Sequence, residues 1–293
     1  MELDLLEVKG SPFDAGYSHG VRYGDAIRHF AAERVELAGG EAWTGCRLER
    51  AQVLELAEAC LPAHREHAPA GVEELEGMAR ATGLSLAELL IVNGFTDFVD
   101  TVYALGPALS GQSAAADRLT ANTADDCTAV LVPASRARGG NALFAQTWDM
   151  HASAAEHVLL LRGRLAGAPA FLTFPAAGGV GMIGMNEAGL VVGINNLMTG
   201  DGQPGVMWTF AVRELLRRET VEAALEYLQG VPLAGAHNFL LLDRSGAGAN
   251  VEATPTRKIV TSLAGEVIAH TNHCLAPATR EVERPRAPQS KAS

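Results

Sequence analysis

The hydrophobic pattern changes near residue 127, and this change constrains the fold more than any other feature of the sequence. Residues 12–94 carry helical periodicity, from Pro12 in the first segment to a helix capped by Ser85. From Cys127 onward, short apolar runs follow one another up to "VGMIGMNEAGLVVGINNL". Strands that succeed one another without intervening helices pair mostly antiparallel. This order predicts an α+β fold with helices segregated from an antiparallel sheet.

The same reading divides the chain into three parts. Residues 1–126 form a helical part, 127–275 a sheet part interrupted by two helices in 207–230, and 276–293 a tail. Residues 106–124 are rich in Ala, Ser and Gly, which predicts a long surface loop before Cys127. The tail has three prolines and no apolar periodicity, which predicts disorder or a place where a longer chain was cut short.

Composition excludes several classes of function. The net charge of −11 argues against nucleic-acid and anionic-membrane partners, which need a basic surface. The N-terminus has no basic and apolar leader, and no apolar run approaches the ~20 residues of a membrane span, so we expect a cytoplasmic protein. The four cysteines are far apart and form no CxxC pair, which argues against a disulfide scaffold or a zinc ribbon.

Two motifs suggest other chemistries but lack the required context. Gly179, Gly181 and Gly184 form a GxGxxG, yet a hairpin pattern follows where a dinucleotide site needs a helix. The "HTNHC" segment at 270–274 offers metal donors, and a capped strand end with hydrogen-bonded histidines is the competing interpretation. The further histidines that such a metal site would draw on are scattered: His151, His157 and His237.

Cys127 and Asp149 are the candidate reactive residues. Cys127 stands between the acidic pair Asp125–Asp126 and a β-type run, which places it at the first position of a strand. It is either an inert buried thiol or a nucleophile. Asp149, next to Trp148 near a strand end, needs a partner: an arginine in a structural ion pair, or a nucleophile that it orients.

Five segments in order resemble one enzyme family. "DDCTAVLVP", "QTWDM", "GMNEAGLVVGINNL", "HNFLLLD…NVEATP" and "HTNHC" are similar to the acyl-coenzyme A:6-aminopenicillanate (isopenicillin N) acyltransferases, the autoproteolytic acyltransferases and hydrolases of peptidase family C45. The resemblance extends over nearly the whole chain up to about Leu275. It implies the N-terminal nucleophile hydrolase fold, a four-layer αββα sandwich, and self-cleavage of a precursor between Asp126 and Cys127.

The resemblance also implies roles for individual residues. Cys127 would be the nucleophile, and its new α-amino group, with a pKa of about 7.7–8.0, could serve as the general base. Asp149 corresponds to the aspartate that steadies this amino group, and Asn272 to the oxyanion-hole asparagine. Asn195 lies where related enzymes place a second oxyanion contributor. Thr147 departs from the asparagine that the family commonly has before Trp-Asp.

The chain also departs from the family at its end. The family continues beyond "HTNHC" with helices, final strands and an arginine near the nucleophile, and nothing in this sequence matches them. We therefore expect a sandwich without its C-terminal elements, which would be weakly active and less stable than a longer version.

The sequence thus predicts an autoprocessed cysteine enzyme. It would hydrolyse or transfer the acyl group of a small linear amide or acyl thioester through a Cys127 acyl-enzyme, with the two fragments remaining associated. No metal or redox cofactor is expected, and a coenzyme A thioester would enter only as a co-substrate. The alternative is a truncated, noncatalytic family member that acts as a binding protein.

Overall fold

The computed structural model describes residues 3–111, 127–150 and 152–285. Asp126 and the predicted cleavage bond lie outside these residues, as does most of the predicted loop. The helices are α1 (Pro12–Gly39), α2 (Glu41–Thr44), α3 (Arg50–Glu58), α4 (Leu61–His67), α5 (Pro69–Thr82), α6 (Leu86–Asn93), α7 (Phe95–Ser110), α8 (Trp208–Leu215), α9 (Val221–Gly230) and α10 (Pro277–Arg280).

Local sequence explains where these helices begin and end. Ser85 and Glu88 form the capping box that opens α6, as predicted. Gly83 follows α5 in the left-handed conformation with φ of 77°, which favours glycine. Glycines also let α1 and α5 pack closely, because a Cβ at Gly16 would lie 1.7 Å from the carbonyl oxygen of Glu74. The predicted helical segment at 12–94 is confirmed.

The strands form two sheets. The large sheet has the order β1-β4-β5-β6-β7-β8-β9-β10 and the small sheet the order β11-β2-β3. Their bounds are β1 (Asp4–Gly10), β2 (Ala129–Val132), β3 (Leu143–Gln146), β4 (Leu159–Leu165), β5 (Phe171–Phe174), β6 (Ile183–Asn186), β7 (Val191–Leu197), β8 (Ala236–Leu242), β9 (Gly248–Ala253), β10 (Lys258–Ser262) and β11 (Ile268–His270).

The small sheet packs on one face of the large sheet. Ala129 and Leu131 of β2 form a buried cluster with Leu240 and Leu242 of β8. The alternate residue Phe239 belongs instead to the main core, which the helices share. Because successive side chains of a strand point to opposite faces, the large sheet lies between the helices and the small sheet. These layers confirm the α+β class and the stacked-sheet sandwich.

Strand β1 was missed by the sequence reading, and it changes the topology. It pairs parallel with β4, with Asp4 opposite Leu159 and Gly10 opposite Leu165. All other pairings between these strands in the described ranges are antiparallel. The connection from β1 to β4 includes helices α1–α7 and strands β2 and β3. One hydrophobic core contains described residues of both the helical part and the sheet part.

The predictions of a loop at 106–124 and of a disordered tail at 276–293 are wrong in part. Residues 106–110 belong to α7 rather than to a loop. Residues 276–285 of the predicted disordered tail are ordered: α10 forms, Glu283 makes a β-bridge with Thr199, and Arg284 is buried. The polar tail is ordered because buried partners elsewhere in the fold accept its hydrogen bonds.

Within the described ranges, no single helix is long and apolar enough to span a membrane. Helices α6 and α7 reach that length and hydropathy only as a pair, and they are bent by 103° between them.

Candidate active site

Cys127 lies just before the small sheet and is almost fully buried, with 2% of its surface exposed. The strand itself begins two residues later, at Ala129, so the prediction that Cys127 is its first residue is wrong by two positions. β2 pairs with β3 on one side and with β11 on the other. The thiol therefore sits where the chain enters the middle strand of the small sheet.

The peptide group that follows Cys127 is held at both of its polar atoms. The side-chain amide of Asn195 donates a hydrogen bond to the carbonyl oxygen of Cys127 at 3.2 Å. The backbone N–H of Thr128 donates to the hydroxyl of Thr147 at 3.1 Å, and the Thr147 N–H donates back to the Thr128 carbonyl at 2.9 Å. These three hydrogen bonds restrict rotation of the backbone that carries the thiol.

Asn195 belongs to a row of three buried asparagines on adjacent strands of the large sheet. Asn195 of β7 lies directly opposite Asn238 of β8 in the strand register. The Asn238 side-chain nitrogen donates to the side-chain oxygen of Asn195 at 3.2 Å and to that of Asn250, on β9, at 2.7 Å. Buried amides are normally hydrogen-bonded in this way, and here the bonds lead directly to Cys127.

Asn272 reaches the same end of β7. Its side-chain nitrogen donates to the carbonyl oxygen of Asn196 at 3.0 Å, one residue beyond Asn195. The side chain is largely buried, and its oxygen has no hydrogen-bond partner among the described residues. A side-chain amide carries two N–H groups, so one remains available for another acceptor. The structure thus places Cys127, Asn195 and Asn272 around the end of β7.

Glu252 of β9 anchors the segment that carries Asn272. Its carboxylate, 3% exposed, accepts hydrogen bonds from His270 at 2.9 Å, from the Leu275 N–H at 2.6 Å and from the Ala276 N–H at 3.1 Å, and another from the Thr279 hydroxyl. Burial alone would raise the pKa of Glu252, but these donors outweigh it and hold the pKa at about 2. The carboxylate is therefore charged at neutral pH.

A cavity lies beside Trp148, between the helices and the loop after β3. Rings of Phe30, Phe95 and Trp208 line it, together with the buried guanidinium of Arg34. Arg34 lies over the Phe30 and Phe95 rings at 4.4 and 4.8 Å from their centroids. The cavity therefore offers aromatic and other apolar surface beside the positive charge of Arg34.

The sequence model of the acyl-coenzyme A:6-aminopenicillanic acid acyltransferase family matches residues 136–293, more than half of the chain. The chain belongs to this family. The 40 kDa form of acyl-coenzyme A:6-aminopenicillanic-acid-acyltransferase from Emericella nidulans is 25% identical over 270 residues, which cover 91% of this chain and 68% of that protein. Membership supports an enzyme of acyl transfer or amide hydrolysis that acts on small molecules.

Solved structures are matched more remotely. Penicillin V acylase from Agrobacterium tumefaciens is 18% identical, with 48% of this chain and 44% of that chain covered and a TM-score of 0.27. A variant of conjugated bile acid hydrolase from Clostridium perfringens is 13% identical, with 53% and 50% covered and a TM-score of 0.29. The chain thus spans half or less of the length of these solved structures.

Asp149, which the resemblance predicts to steady the amino group of Cys127, forms no bond to the described residues of the site. Its side chain is exposed, and it forms no hydrogen bond or ion pair with any residue in the described ranges. Among the described residues, Asp149 therefore forms neither the expected ion pair with an arginine nor a hydrogen bond to Cys127. Thr147, which we expect to differ from the usual asparagine, does form a hydrogen bond in the site: its hydroxyl accepts the Thr128 N–H.

The competing motifs have structural explanations. Gly184 lies in β6, which forms a hairpin with β7 through Gly189, so no helix opens after the GxGxxG. His270 is bound to Glu252. Among the described residues, no three His, Cys, Asp or Glu side chains converge as metal ligands do. His237 contacts Asp97 instead.

Sequence reasoning missed two buried carboxylates of α7. Asp97 accepts the Trp208 N–H at 2.6 Å and lies 3.0 Å from His237 Nδ1. Asp100 accepts a hydrogen bond from Arg284 at 2.6 Å. Two acidic residues three positions apart in an otherwise apolar helix were the available signal, because that spacing places both on one buried face.

Proposed function

We propose that this acyltransferase-family chain is made as a precursor that cuts itself between Asp126 and Cys127. The Cys127 thiol adds to the Asp126 carbonyl carbon, the C–N bond breaks, and the departing nitrogen takes the thiol proton. The resulting thioester is hydrolysed by water, which leaves the Asp126 carboxylic acid and restores the thiol. The observation that carries the proposal is that the Cys127–Thr128 peptide is hydrogen-bonded at both its C=O and its N–H. A backbone held in this way restricts the directions from which the thiol can approach the Asp126 carbonyl carbon.

Cleavage would turn Cys127 into the nucleophile of a covalent mechanism. The new α-amino group takes the thiol proton, the thiolate attacks an amide or thioester carbonyl, and the acyl group moves to sulfur while the leaving group departs. Water or an amine then removes the acyl group. This sequence of steps requires neither a metal nor a redox cofactor.

The two asparagines would have different roles. Asn195 already donates to the Cys127 carbonyl, so we assign its side chain to holding the nucleophile rather than to the oxyanion hole. Asn272 keeps one N–H available after its bond to Asn196, which suits it to donate to the developing oxyanion. Asp149 would steady the new amino group by accepting hydrogen bonds from its N–H groups, since its exposed carboxylate has no other partner among the described residues.

The substrate class follows from the family. We infer a small linear amide or acyl thioester, with a coenzyme A thioester as the acyl donor in the case of transfer, because the Emericella nidulans relative is described as an acyl-coenzyme A:6-aminopenicillanic-acid-acyltransferase. Hydrolysis and transfer share the same acyl-enzyme and differ only in whether water or an amine accepts the acyl group. Both fragments are expected to remain associated, because one hydrophobic core includes residues from each.

Intact-mass analysis of the purified protein tests the proposal. For the wild type we expect the masses of fragments 1–126 and 127–293, which should co-elute from a column under native conditions. For Cys127→Ala we expect the mass of a single uncut chain. Cys60→Ala is the matched control, because Cys60 is an equally buried thiol in the helical part, where burial raises its pKa to about 11. It should be cut like the wild type. A folded wild-type chain that stays intact after long incubation would refute self-cleavage.

A noncatalytic binding protein is the second candidate, and the exposure of Asp149 favours it. Such a protein would remain one chain and would release no product from a panel of linear amides and acyl thioesters. Turnover that disappears in Cys127→Ala would exclude it.

A further inference from the structure

The three asparagines at the end of the large sheet have a defined direction of hydrogen bonding. A side-chain amide has one end that only accepts and one that only donates. Asn238 places its donating nitrogen against two acceptors, the side-chain oxygens of Asn195 and Asn250. Asn195 must therefore point its oxygen toward Asn238 and its nitrogen toward the Cys127 carbonyl.

The opposite orientation of Asn195 would break both bonds. Its nitrogen would then face the Asn238 nitrogen, and its oxygen would face the Cys127 carbonyl oxygen. Asn195 and Asn238 are fully buried, so water cannot compensate for either mismatch. Asn250, two strands away from Asn195 in the sheet, supports this choice because it holds the second hydrogen of Asn238.

We propose that Asn238 is a positioning residue for the Cys127 nucleophile, acting through Asn195. This inference rests on the proposed function and adds the residue that sets the orientation of the Cys127 carbonyl. The orientation matters most after cleavage, when Cys127 is a chain end and is anchored to the protein backbone only through the peptide that follows it. Asn238 does not contact the thiol, so its effect is on geometry rather than on proton transfer.

Asn238→Asp tests the direction of the bonds at constant side-chain volume. The introduced carboxylate accepts hydrogen bonds but donates none. It therefore attracts the side-chain nitrogen of Asn195 away from the Cys127 carbonyl and leaves the Asn195 side-chain oxygen facing Cys127. Misplacement of a reacting group by about 1 Å can cost 10²-fold in rate, so we expect about 100-fold slower self-cleavage and about 100-fold lower kcat, with KM unchanged. Asn238→Leu removes the donor without reversing the direction and should cost about tenfold.

Asn186→Asp is the matched control for a buried charge. Asn186 of β6 also donates from its side-chain nitrogen to two acceptors, the carbonyl oxygens of Leu216 and Arg218, at 2.9 and 2.6 Å. Its hydrogen bonds do not involve Cys127. Any decrease in the self-cleavage rate or kcat of Asn186→Asp should be proportional to the decrease in its folded fraction. Cleavage by folded Asn238→Asp within threefold of the wild type, or equal losses in the two Asp variants at equal folded fraction, would overturn the proposal.

A second measurement does not depend on catalysis. In protein with ¹⁵N-labelled asparagine, the Asn195 side-chain amide protons should exchange with solvent at least tenfold faster in Asn238→Leu than in the wild type. Unchanged exchange would overturn the proposal even where Asn238→Asp fails to fold. A folded wild-type chain that is never cut refutes the proposed function, and the exchange rates then still decide whether Asn238 orients Asn195.

Discussion

Replacement of Glu252 by glutamine should loosen the attachment of the Asn272 segment to the large sheet. Glutamine has nearly the same shape as a protonated glutamate but places an NH₂ group among hydrogen-bond donors. The ionised carboxylate of Glu252 is stabilised relative to its protonated form, since its pKa falls from the ordinary value of 4.5 to about 2. Each pH unit corresponds to about 1.4 kcal/mol, so the variant should lose about 3 kcal/mol of unfolding free energy at pH 7.

The pH dependence gives the sign of the effect. A carboxyl whose pKa is lowered in the folded state contributes its stability above the unfolded pKa, and the contribution disappears as pH falls through the folded pKa. The difference between wild type and Glu252→Gln should therefore be full above about pH 4.5 and should shrink toward zero near pH 2.

Urea denaturation from pH 7 down to pH 2.5 measures this difference. Both proteins should carry Cys127→Ala, so that each is expected to unfold as a single chain. Glu266→Gln is the control, because Glu266 is 79% exposed and pairs with Arg136 at the surface, where an ion pair contributes about 0–1 kcal/mol. A Glu252→Gln variant within about 0.5 kcal/mol of its parent at pH 7, or two curves that run parallel with pH, would refute the reasoning.

Three further predictions concern the site and the C-terminal segment. Asn272→Ala should lower turnover by about 10²–10³ at unchanged KM, and activity within about threefold of the wild type would make Asn272 structural. Thr147→Val removes the acceptor of the Thr128 N–H and should slow self-cleavage five- to tenfold, about 1 kcal/mol, by intact mass, whereas Thr147→Ser should be normal. Burial raises the pKa of Asp100 to about 7 even beside Arg284, and Arg284→Met should raise this pKa further. The unfolding free energy of the variant should then fall by up to about 1.4 kcal/mol per pH unit above pH 7, where that of the wild type no longer changes through Asp100. Equal pH slopes in urea denaturation of the two proteins would contradict this.

Local patterns were sufficient for several features of this protein. The Ser85 capping box and the Gly83 helix end were readable because a cap involves residues only a few positions apart. The succession of β-type runs predicted the α+β class for the same reason, since alternation is a property of each short segment. Cys127 was singled out by the residues on either side of it and by the family resemblance.

Tertiary structure alone decided which distant residues meet. β1 is a strand because it pairs with β4 about 150 residues later, and the segment "DLLEVKG" by itself does not indicate that pairing. Arg284 is ordered because Asp100 lies buried where it can accept its hydrogen bond. Asn195, Asn238 and Asn250 meet only because the register places Asn238 opposite Asn195 and diagonally from Asn250, which lies two positions from the residue opposite Asn238. These side-chain hydrogen bonds require distances of about 3 Å between residues far apart in the chain. The order of residues in a sequence gives no information about such distances.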